Sequence, residues 1–283
     1  MIKIIAIFDK HEDFIKLQYD SIIKHVKGDY EYIIFNNAAN EEQANLNKNT
    51  CDELGIKCVR ITVNYSKDPS NVAGEALNAS FKTCINDKVF KIDSDMFFIS
   101  DININELFDK HDLIYVPTYQ INREIMWSGV FGIDMSKIDI NLDFRPGVVQ
   151  HTDTFGQSCL LTVKPNLNKK LCNLYNLQNT NNGVYTTSLN GDCLVHIADK
   201  KITFVERPEF YNIETLGDLV TIYDNMVTSF KKHEFPEPYN LDMIDIDGIN
   251  TIIHFKSANW CPWYTEDYVN NKKEALKRFL NSF

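Results

Sequence analysis

Two aspartates stand two residues apart within residues 89–98, where they interrupt an apolar run. Side chains two apart on an extended backbone project to the same side, so Asp93 and Asp95 can share one ligand. Burying two unpaired carboxylates is costly, whereas a divalent cation would neutralise both. Mg²⁺ and Mn²⁺ bind carboxylate oxygens and keep coordination positions open for substrate phosphates. The pair therefore predicts a Mn²⁺ or Mg²⁺ site for a phosphate-containing substrate.

Other interpretations of aspartate pairs fit this chain less well. A phosphatase nucleophile motif has Thr or Val two residues after its second aspartate, close to the N-terminus. Here that residue is Phe97, deep in the chain. A second pair, Asp245 and Asp247, precedes Gly248, which predicts a turn with solvated carboxylates.

The elements that must position Asp93 and Asp95 follow from hydrophobic periodicity. Apolar runs predict strands over residues 4–8, 30–35, 58–63 and 89–92, and helical patterns separate these runs. Strand–helix alternation indicates βαβ units, so we predict an α/β fold, a Rossmann-like mostly parallel sheet flanked by helices. Ligands of such sheets lie beyond the carboxyl ends of the strands, which is where the aspartates stand.

The later part of the chain is less regular. Further strands are predicted over residues 113–116, 130–133, 202–205 and 252–255, and a closing helix near residues 275–280. Residues 166–190 read as loop-rich, and residues 127–129 as a tight turn entering a strand. We expect one domain over 1–283, built around one sheet, with a regular half over 1–100 and an irregular half over 101–283.

Composition and charge limit the classes of molecule that this chain is expected to bind. The formal net charge of −10 argues against nucleic-acid binding, but one bound cation would offset a diphosphate. Seven cysteines without a C-x-x-C pair indicate reduced thiols. The first apolar run is too short for a signal peptide, and no stretch approaches the roughly 20 apolar residues of a membrane span. These features predict a soluble cytoplasmic protein.

Residues 71–78, followed by the aspartate pair, resemble the G-x-A-x-N…D-x-D pattern of GT-A-fold glycosyltransferases, especially the family-2 group. The glycine and asparagine of this pattern are Gly74 and Asn78, four residues apart, a spacing that departs slightly from the commonest form. The resemblance implies that the ends of the first two strands flank the base and ribose of a nucleotide, with Phe8, Asp9 and Asn36 as contacts. Asn78 is a further candidate contact of the donor, as is Asp93, which would contribute to the metal directly or through the ribose or a water. A plain turn at Asn36 stays open as the alternative.

The far end of the chain adds a second match. Residues 252–263 resemble the H-F-x-G-x-x-K-P-W element of several GT-A families, with Ser257 where glycine is usual and one extra residue before the Pro-Trp. The resemblance implies that His254 completes the metal site and that Lys256 contacts the diphosphate. A structural role for His254 is the alternative.

The catalytic base is expected in the middle of the chain. Residues 127–134 resemble a segment of GT-A enzymes that lines the pocket for the donor sugar and the acceptor. Residues 151–157 resemble the acidic segment of inverting family members, so Asp153, with His151 behind it, is the candidate base and Asp192 the reserve. A helix N-cap is the alternative for Asp153, and a retaining enzyme would need neither base.

Together the resemblance implies a divalent-metal-dependent glycosyltransferase of the hexosyltransferase class. It would move a sugar from a nucleoside diphosphate sugar, most often a UDP-sugar in such families, to a hydroxyl of a glycan, lipid or protein. Residues 1–100 would bind the nucleotide and residues 101–283 the acceptor. One alternative is a non-catalytic sugar- or nucleotide-binding protein on a degenerate scaffold. The other, a sugar-1-phosphate nucleotidyltransferase, normally has a Gly-rich, Arg-containing loop where this chain has residues 9–13.

Overall fold

A computed structural model describes most of the chain, and structural statements refer to the described residues alone. These are residues 1–65, 68–120, 123–147, 154–180, 184–189, 193–198, 201–205, 217–222, 224–225, 241–255, 273–274 and 276–281. The chain divides into two compact units. Unit 1 comprises Met1–Asp20, Val26–Ser94 and Asn103–Leu171; unit 2 comprises Ser21–His25, Asp95–Ile102 and Cys172–Phe283.

Strands and α-helices alternate in the first part of the chain, and the later described residues are mostly in strands. The strands, in chain order, are β1 (Ile2–Phe8), β2 (Val26–Lys27), β3 (Tyr30–Asn36), β4 (Lys57–Arg60), β5 (Lys88–Ile92), β6 (Met96–Phe98), β7 (Ile102–Asn103), β8 (Leu113–Gln120), β9 (Arg123–Asp134), β10 (Lys169–Leu171), β11 (Asn173–Thr180), β12 (Val184–Leu189), β13 (Cys193–Ala198), β14 (Lys201–Val205), β15 (Leu241–Ile246) and β16 (Ile249–His254). The α-helices are α1 (Glu12–His25), α2 (Glu41–Leu54), α3 (Pro69–Lys82), α4 (Ile104–Lys110) and α5 (Cys159–Thr162). Short 3₁₀ helices cover Met135–Lys137 and Gly156–Ser158, and residues 217–222 and 276–280 are also helical.

Unit 1 contains a seven-stranded sheet in the order β10-β8-β9-β5-β1-β3-β4. The pairs β1–β3, β1–β5, β3–β4 and β8–β10 are parallel, whereas β9 runs antiparallel to β5 and β8. The central strands are nearly continuous apolar runs, as expected of parallel strands that are covered on both faces. The α/β class and the mostly parallel sheet predicted from the sequence are confirmed.

Local sequence explains where the helices of unit 1 begin and end. The side chain of Asn40 caps α2 by accepting from Gln43 N at 2.8 Å, and Gly55 ends this helix with a positive φ of 67°. Asp68 caps α3, and Pro69 occupies its first turn. Four buried phenylalanines, with ring centroids 4.6 to 6.4 Å apart, pack α3 against the sheet and against the segments that carry the last two of them: Phe81, Phe131, Phe144 and Phe155.

Unit 2 contains a second seven-stranded sheet, all antiparallel, in the order β14-β13-β12-β11-β15-β16-β6. Its strands β15 and β16 form a hairpin with a two-residue turn at Asp247 and Gly248, both with positive φ, the pattern that Asp-Gly favours. The turn predicted from the sequence is present. The prediction of two solvated carboxylates was wrong for Asp245, which is buried and accepts from Gly248 N at 3.2 Å.

Three local predictions need correction. The stretch 166–190 is not loop-rich, because it contains β10, β11 and β12; its polar strands are held by ladder pairing to their neighbours rather than by apolar alternation. The described residues form two seven-stranded sheets and a two-stranded one, rather than the single sheet that was predicted. Residues 127–129 lie within β9 and not in a tight turn. The expectation of a single domain over 1–283 stays a prediction.

Among the described residues, no helix has both the length and the apolar character needed to cross a bilayer.

Candidate functional site

Strand pairing in unit 2 brings Asp95 beside His254. Strand β6 pairs with β16 so that Met96 is opposite His254, and Phe255 N donates to Asp95 O at 2.8 Å. In this register Nε2 of His254 lies 3.3 Å from Oδ1 of Asp95. Both side chains are about nine-tenths buried, and each offers a ligand atom for a cation.

A second carboxylate, Asp242, holds the other nitrogen of the histidine ring. Asp242 is opposite His254 in the β15–β16 ladder, and its Oδ2 lies 3.0 Å from Nδ1. Asp242 is 1% exposed, and Asn176 Nδ2 donates to its Oδ1 at 2.6 Å. These contacts orient the ring with Nδ1 towards Asp242 and Nε2 towards Asp95. Metal-ligating histidines are commonly oriented by a carboxylate in this way.

The electrostatic balance at His254 favours a cation. Burial by itself lowers the pKa of the imidazole, but the charge of Asp95 and the hydrogen bonds to Asp242 and Asp95 outweigh it. The pKa of His254 is raised to about 10. The two carboxylates thus retain a proton on the ring, and a divalent cation at Nε2 would displace that proton.

Asp93 lies in unit 1, directly after the end of β5. Its side chain is 41% exposed and forms an ion pair with Lys91 Nζ. Its backbone oxygen accepts from Gln18 Nε2 at 2.7 Å, and Gln18 Oε1 in turn accepts from Tyr32 Oη at 2.6 Å. Two peptide units keep the Cα atoms of Asp93 and Asp95 within about 7 Å of one another.

The ends of β1 and β3 meet, as parallel pairing requires, because Phe8 is opposite Asn36. The Phe8 ring is fully buried, and its backbone oxygen accepts from Asn37 N at 2.7 Å. The Asn36 amide is engaged within unit 1: Nδ2 donates to Ala44 O at 2.7 Å, and Oδ1 accepts from Asn47 Nδ2 at 3.2 Å. Asn36 therefore ties the end of β3 to α2.

The neighbouring residues offer further polar groups at this sheet edge. Oδ1 of Asn37 is buried and has no hydrogen-bond partner among the described residues. Arg60 Nη1 donates to Asn36 O at 3.0 Å, and its guanidinium is about a third exposed. Arg60 and Asp9 both act on the Tyr65 hydroxyl, whose pKa burial raises, so these side chains lie near one another. Sequence reasoning missed Arg60; its signal was a basic residue at the carboxyl end of a strand.

Gly74 and Asn78, one turn apart on α3, clamp the segment after residue 142. Asn78 Nδ2 donates to Asp143 Oδ1 at 2.9 Å, and Asn78 Oδ1 accepts from Phe144 N at 3.0 Å. A Cβ on Gly74 would lie 2.6 Å from Arg145 Cα and 2.8 Å from Phe144 O. Asn78 also lines a groove of about 900 Å³ with this segment. In this structure, both residues of the resembling motif serve the packing of unit 1.

The remaining predicted site residues fall outside the described part of the chain. These are the candidate bases Asp153 and Asp192, the residue behind the first of them, His151, and the candidate diphosphate contact Lys256.

The described residues thus define an α/β protein with a buried carboxylate–histidine pair suited to a cation. The sequence matches no protein-family model, and no curated protein is similar to it at a significant level.

Among solved structures, the chain is similar to S. aureus TarS, with 15% identity over 43% of this chain and 22% of that one, at a TM-score of 0.32. The galactosyltransferase LgtC, solved with donor and acceptor sugar analogues, matches with 15% identity over 48% of this chain and 59% of that one, at 0.34. A Bacillus anthracis protein described as a glucose-1-phosphate thymidylyltransferase matches with 11% identity over 48% of this chain and 72% of that one, also at 0.34.

The chain spans less than two thirds of the length of the first two proteins. All three TM-scores are below 0.5, so the likeness carries no argument about the function of this chain.

Proposed function

We propose that this protein is a divalent-metal-dependent glycosyltransferase that moves a sugar from a nucleoside diphosphate sugar to an acceptor hydroxyl. The observation that carries the proposal is the buried pair Asp95–His254, oriented by Asp242 and preceded by Asp93. The motif resemblance of the sequence supplies the reaction class, and UDP-sugars are the donors to test first.

In this proposal Asp93, Asp95 and His254 hold Mn²⁺ or Mg²⁺. The donor set fits, because it combines two carboxylates with an imidazole whose second nitrogen is already held by Asp242. A bound cation supplies positive charge to the departing diphosphate without a proton transfer. The burial of Asp95 and His254 strengthens any charge interaction at this place, because it excludes water.

The other residues have roles taken from the resemblance. The resemblance assigns Phe8, Asp9 and Asn36, at the strand ends, and Asn78, on α3, to the nucleoside site. Lys256 contacts the diphosphate. These assignments are part of the proposal.

In an inverting reaction, Asp153, or Asp192 in its place, takes the proton of the acceptor hydroxyl. The oxygen then bonds to the anomeric carbon while the bond from that carbon to the diphosphate oxygen breaks.

The nucleotidyltransferase alternative is disfavoured by the loop after β1. Only residues 9–11 separate β1 from α1, and the first turn of α1 carries Glu12 and Asp13. Acidic side chains at a helix N-terminus repel a phosphate that would otherwise bind there. The non-catalytic alternative is decided by assay, because a transferase slowly hydrolyses its donor in the absence of acceptor.

The test is thermal unfolding with a panel of nucleoside diphosphates, with and without Mn²⁺, followed by a donor-hydrolysis assay. We expect one nucleotide to raise the Tm only when Mn²⁺ is present. A ligand at about a hundred times its Kd stabilises by roughly 2.7 kcal/mol, which is a shift of several degrees.

Asp95→Ala should abolish the shift and the hydrolysis, whereas Asp20→Asn, on the exposed face of α1, should leave both unchanged. Full activity of Asp95→Ala would refute the proposal. A metal-dependent shift without any hydrolysis would favour the binding protein instead.

A further inference from the structure

Lys91 is a buried cation in the middle of the sheet of unit 1. Its side chain is 4% exposed and lies on β5, which β1 and β9 flank. Lysine is almost never fully buried unless its charge is paired, and an unpaired buried ammonium is costly. The ammonium group of Lys91 therefore needs hydrogen-bond or ion-pair partners at this position.

Three hydrogen-bond acceptors surround Lys91 Nζ. They are the Asp93 carboxylate, Ser128 O at 2.5 Å and Gly129 O at 3.3 Å. An ammonium group has three N–H donors, so each donor has one acceptor. The ring of Phe131, opposite Lys91 in the ladder, lies with its centroid 6.0 Å from Nζ, within cation–π range.

The two carbonyls belong to a stretch of β9 where both sheet ladders are interrupted. Towards β8, the pair Tyr115–Phe131 is followed directly by Pro117–Met126, so residues 127–130 bulge out of that ladder. Towards β5, the ladder stops at Ile92 opposite Val130. At this interruption the Lys91 ammonium donates to the carbonyl oxygens of Ser128 and Gly129.

The bulge also has a defined inner packing. A Cβ on Gly129 would lie 2.5 Å from the ring of Trp127, so the indole covers the backbone of Gly129. One ammonium thus connects the first aspartate of the D-x-D pair with a segment that carries the partly buried ring of Trp127.

We propose that Lys91 is a positioning residue, which ties the Asp93 carboxylate to the 127–130 bulge and leaves the second carboxylate oxygen for the cation. The inference rests on the proposed function, because it assigns Asp93 to the metal site. Hydrogen-bonded partners of ligating carboxylates typically change metal affinity by about 10 to 100-fold when they are removed.

The experiment measures Mn²⁺ binding by the electron paramagnetic resonance signal of the free ion. We expect Lys91→Ala to weaken Mn²⁺ binding by about 10 to 100-fold. The truncation removes three carbons and the ammonium, so n-propylammonium should restore much of the affinity in a saturable manner. The neutral isostere 1-propanol should not restore it.

Two further variants separate positioning from folding. Lys91→Met keeps an apolar stem without the charge, so it should fold even where Lys91→Ala does not, and it should also bind Mn²⁺ weakly. Val89→Ala, a buried position on the same strand, should lower the Tm and leave the Mn²⁺ affinity unchanged.

The outcomes distinguish this inference from the proposed function. If the wild type binds Mn²⁺ and Lys91→Ala or Lys91→Met binds it equally well, only the positioning role of Lys91 is overturned. Equal rescue by propylammonium and propanol reduces Lys91 to a space-filling residue and also overturns it. A wild type that does not bind Mn²⁺ refutes the metal site itself.

Discussion

At the scale of single residues, the candidate site is defined by what surrounds each polar group. Asp95 and His254 form a pair because they are buried together, and Asp242 is buried behind them. By contrast, Asp93 keeps an exposed carboxylate with a lysine on one side. A buried histidine between two carboxylates has negative charge on both sides of its ring, and this charge stabilises a ring proton or a cation that displaces it.

The role of Asp242 can be tested by Asp242→Asn, which retains the shape and removes the charge. We expect Mn²⁺ binding, measured by calorimetry, to weaken by about tenfold or more, because the ring nitrogen loses its charged partner. Asp245→Asn is the matched control: this aspartate is buried on the same strand but faces the turn at Gly248. Equal affinities of Asp242→Asn and wild type would show that Asp242 only fills space.

At the scale of elements, a β-bulge in the β15–β16 ladder determines which residue of β15 lies opposite His254. The pairs near the turn are Ile246–Ile249 and Asp245–Asn250, but the register shifts by one residue before the pair Ile244–Ile252. Without that shift, Leu241 would lie opposite His254 instead of Asp242. A single inserted residue therefore assembles the carboxylate–histidine pair, as bulges commonly do when they redirect side chains.

Helix α3 offers a test in which two effects have opposite signs. Replacing a helix-interior glycine by alanine stabilises by about 1 kcal/mol on propensity alone. At Gly74, however, the new Cβ meets backbone atoms of Phe144 and Arg145, which cannot turn away as a side-chain end would. We expect the clash to prevail, so Gly74→Ala should lower the free energy of unfolding in urea by about 1 to 3 kcal/mol.

The control lies on the same helix. Ala73 is exposed, and Ala73→Gly measures the propensity term in α3 by itself. A Gly74→Ala variant more stable than wild type would mean that residues 143–145 are not held against α3 in solution.

At the scale of the whole molecule, the sequence predicts those parts of the structure whose signal is local. The strands β1, β3 and β5 were predicted because covered parallel strands are continuous apolar runs. The predicted strand over residues 58–63 corresponds to β4, a short edge strand that ends at Arg60. The polar strands β11 and β12 were missed, since their pairing carries no such signal. The same limit applies to the site. Asp93 and Asp95 are two residues apart in sequence, whereas the contact of Asp242 with His254 and those of Lys91 with β9 depend on strand register.

The net charge of −10 determines how salt and divalent cations should affect the Tm of this protein. An acidic chain repels itself, so added salt should raise the Tm of any variant by screening, and divalent ions will contribute to that screening. Specific binding must therefore be measured at fixed ionic strength. Under this condition Mn²⁺ should stabilise the wild type by RT ln(1 + [L]/Kd) and so raise its Tm, while the Tm of Asp95→Asn should not respond.

Added NaCl should shift the wild type and Asp95→Asn equally, because one charge in ten changes the overall repulsion little. An equal response of both proteins to Mn²⁺ would assign the metal effect to general screening. The Asp95–His254 pair would then be an internal ion pair of unit 2. Its role would be to stabilise the contact between β6 and β16.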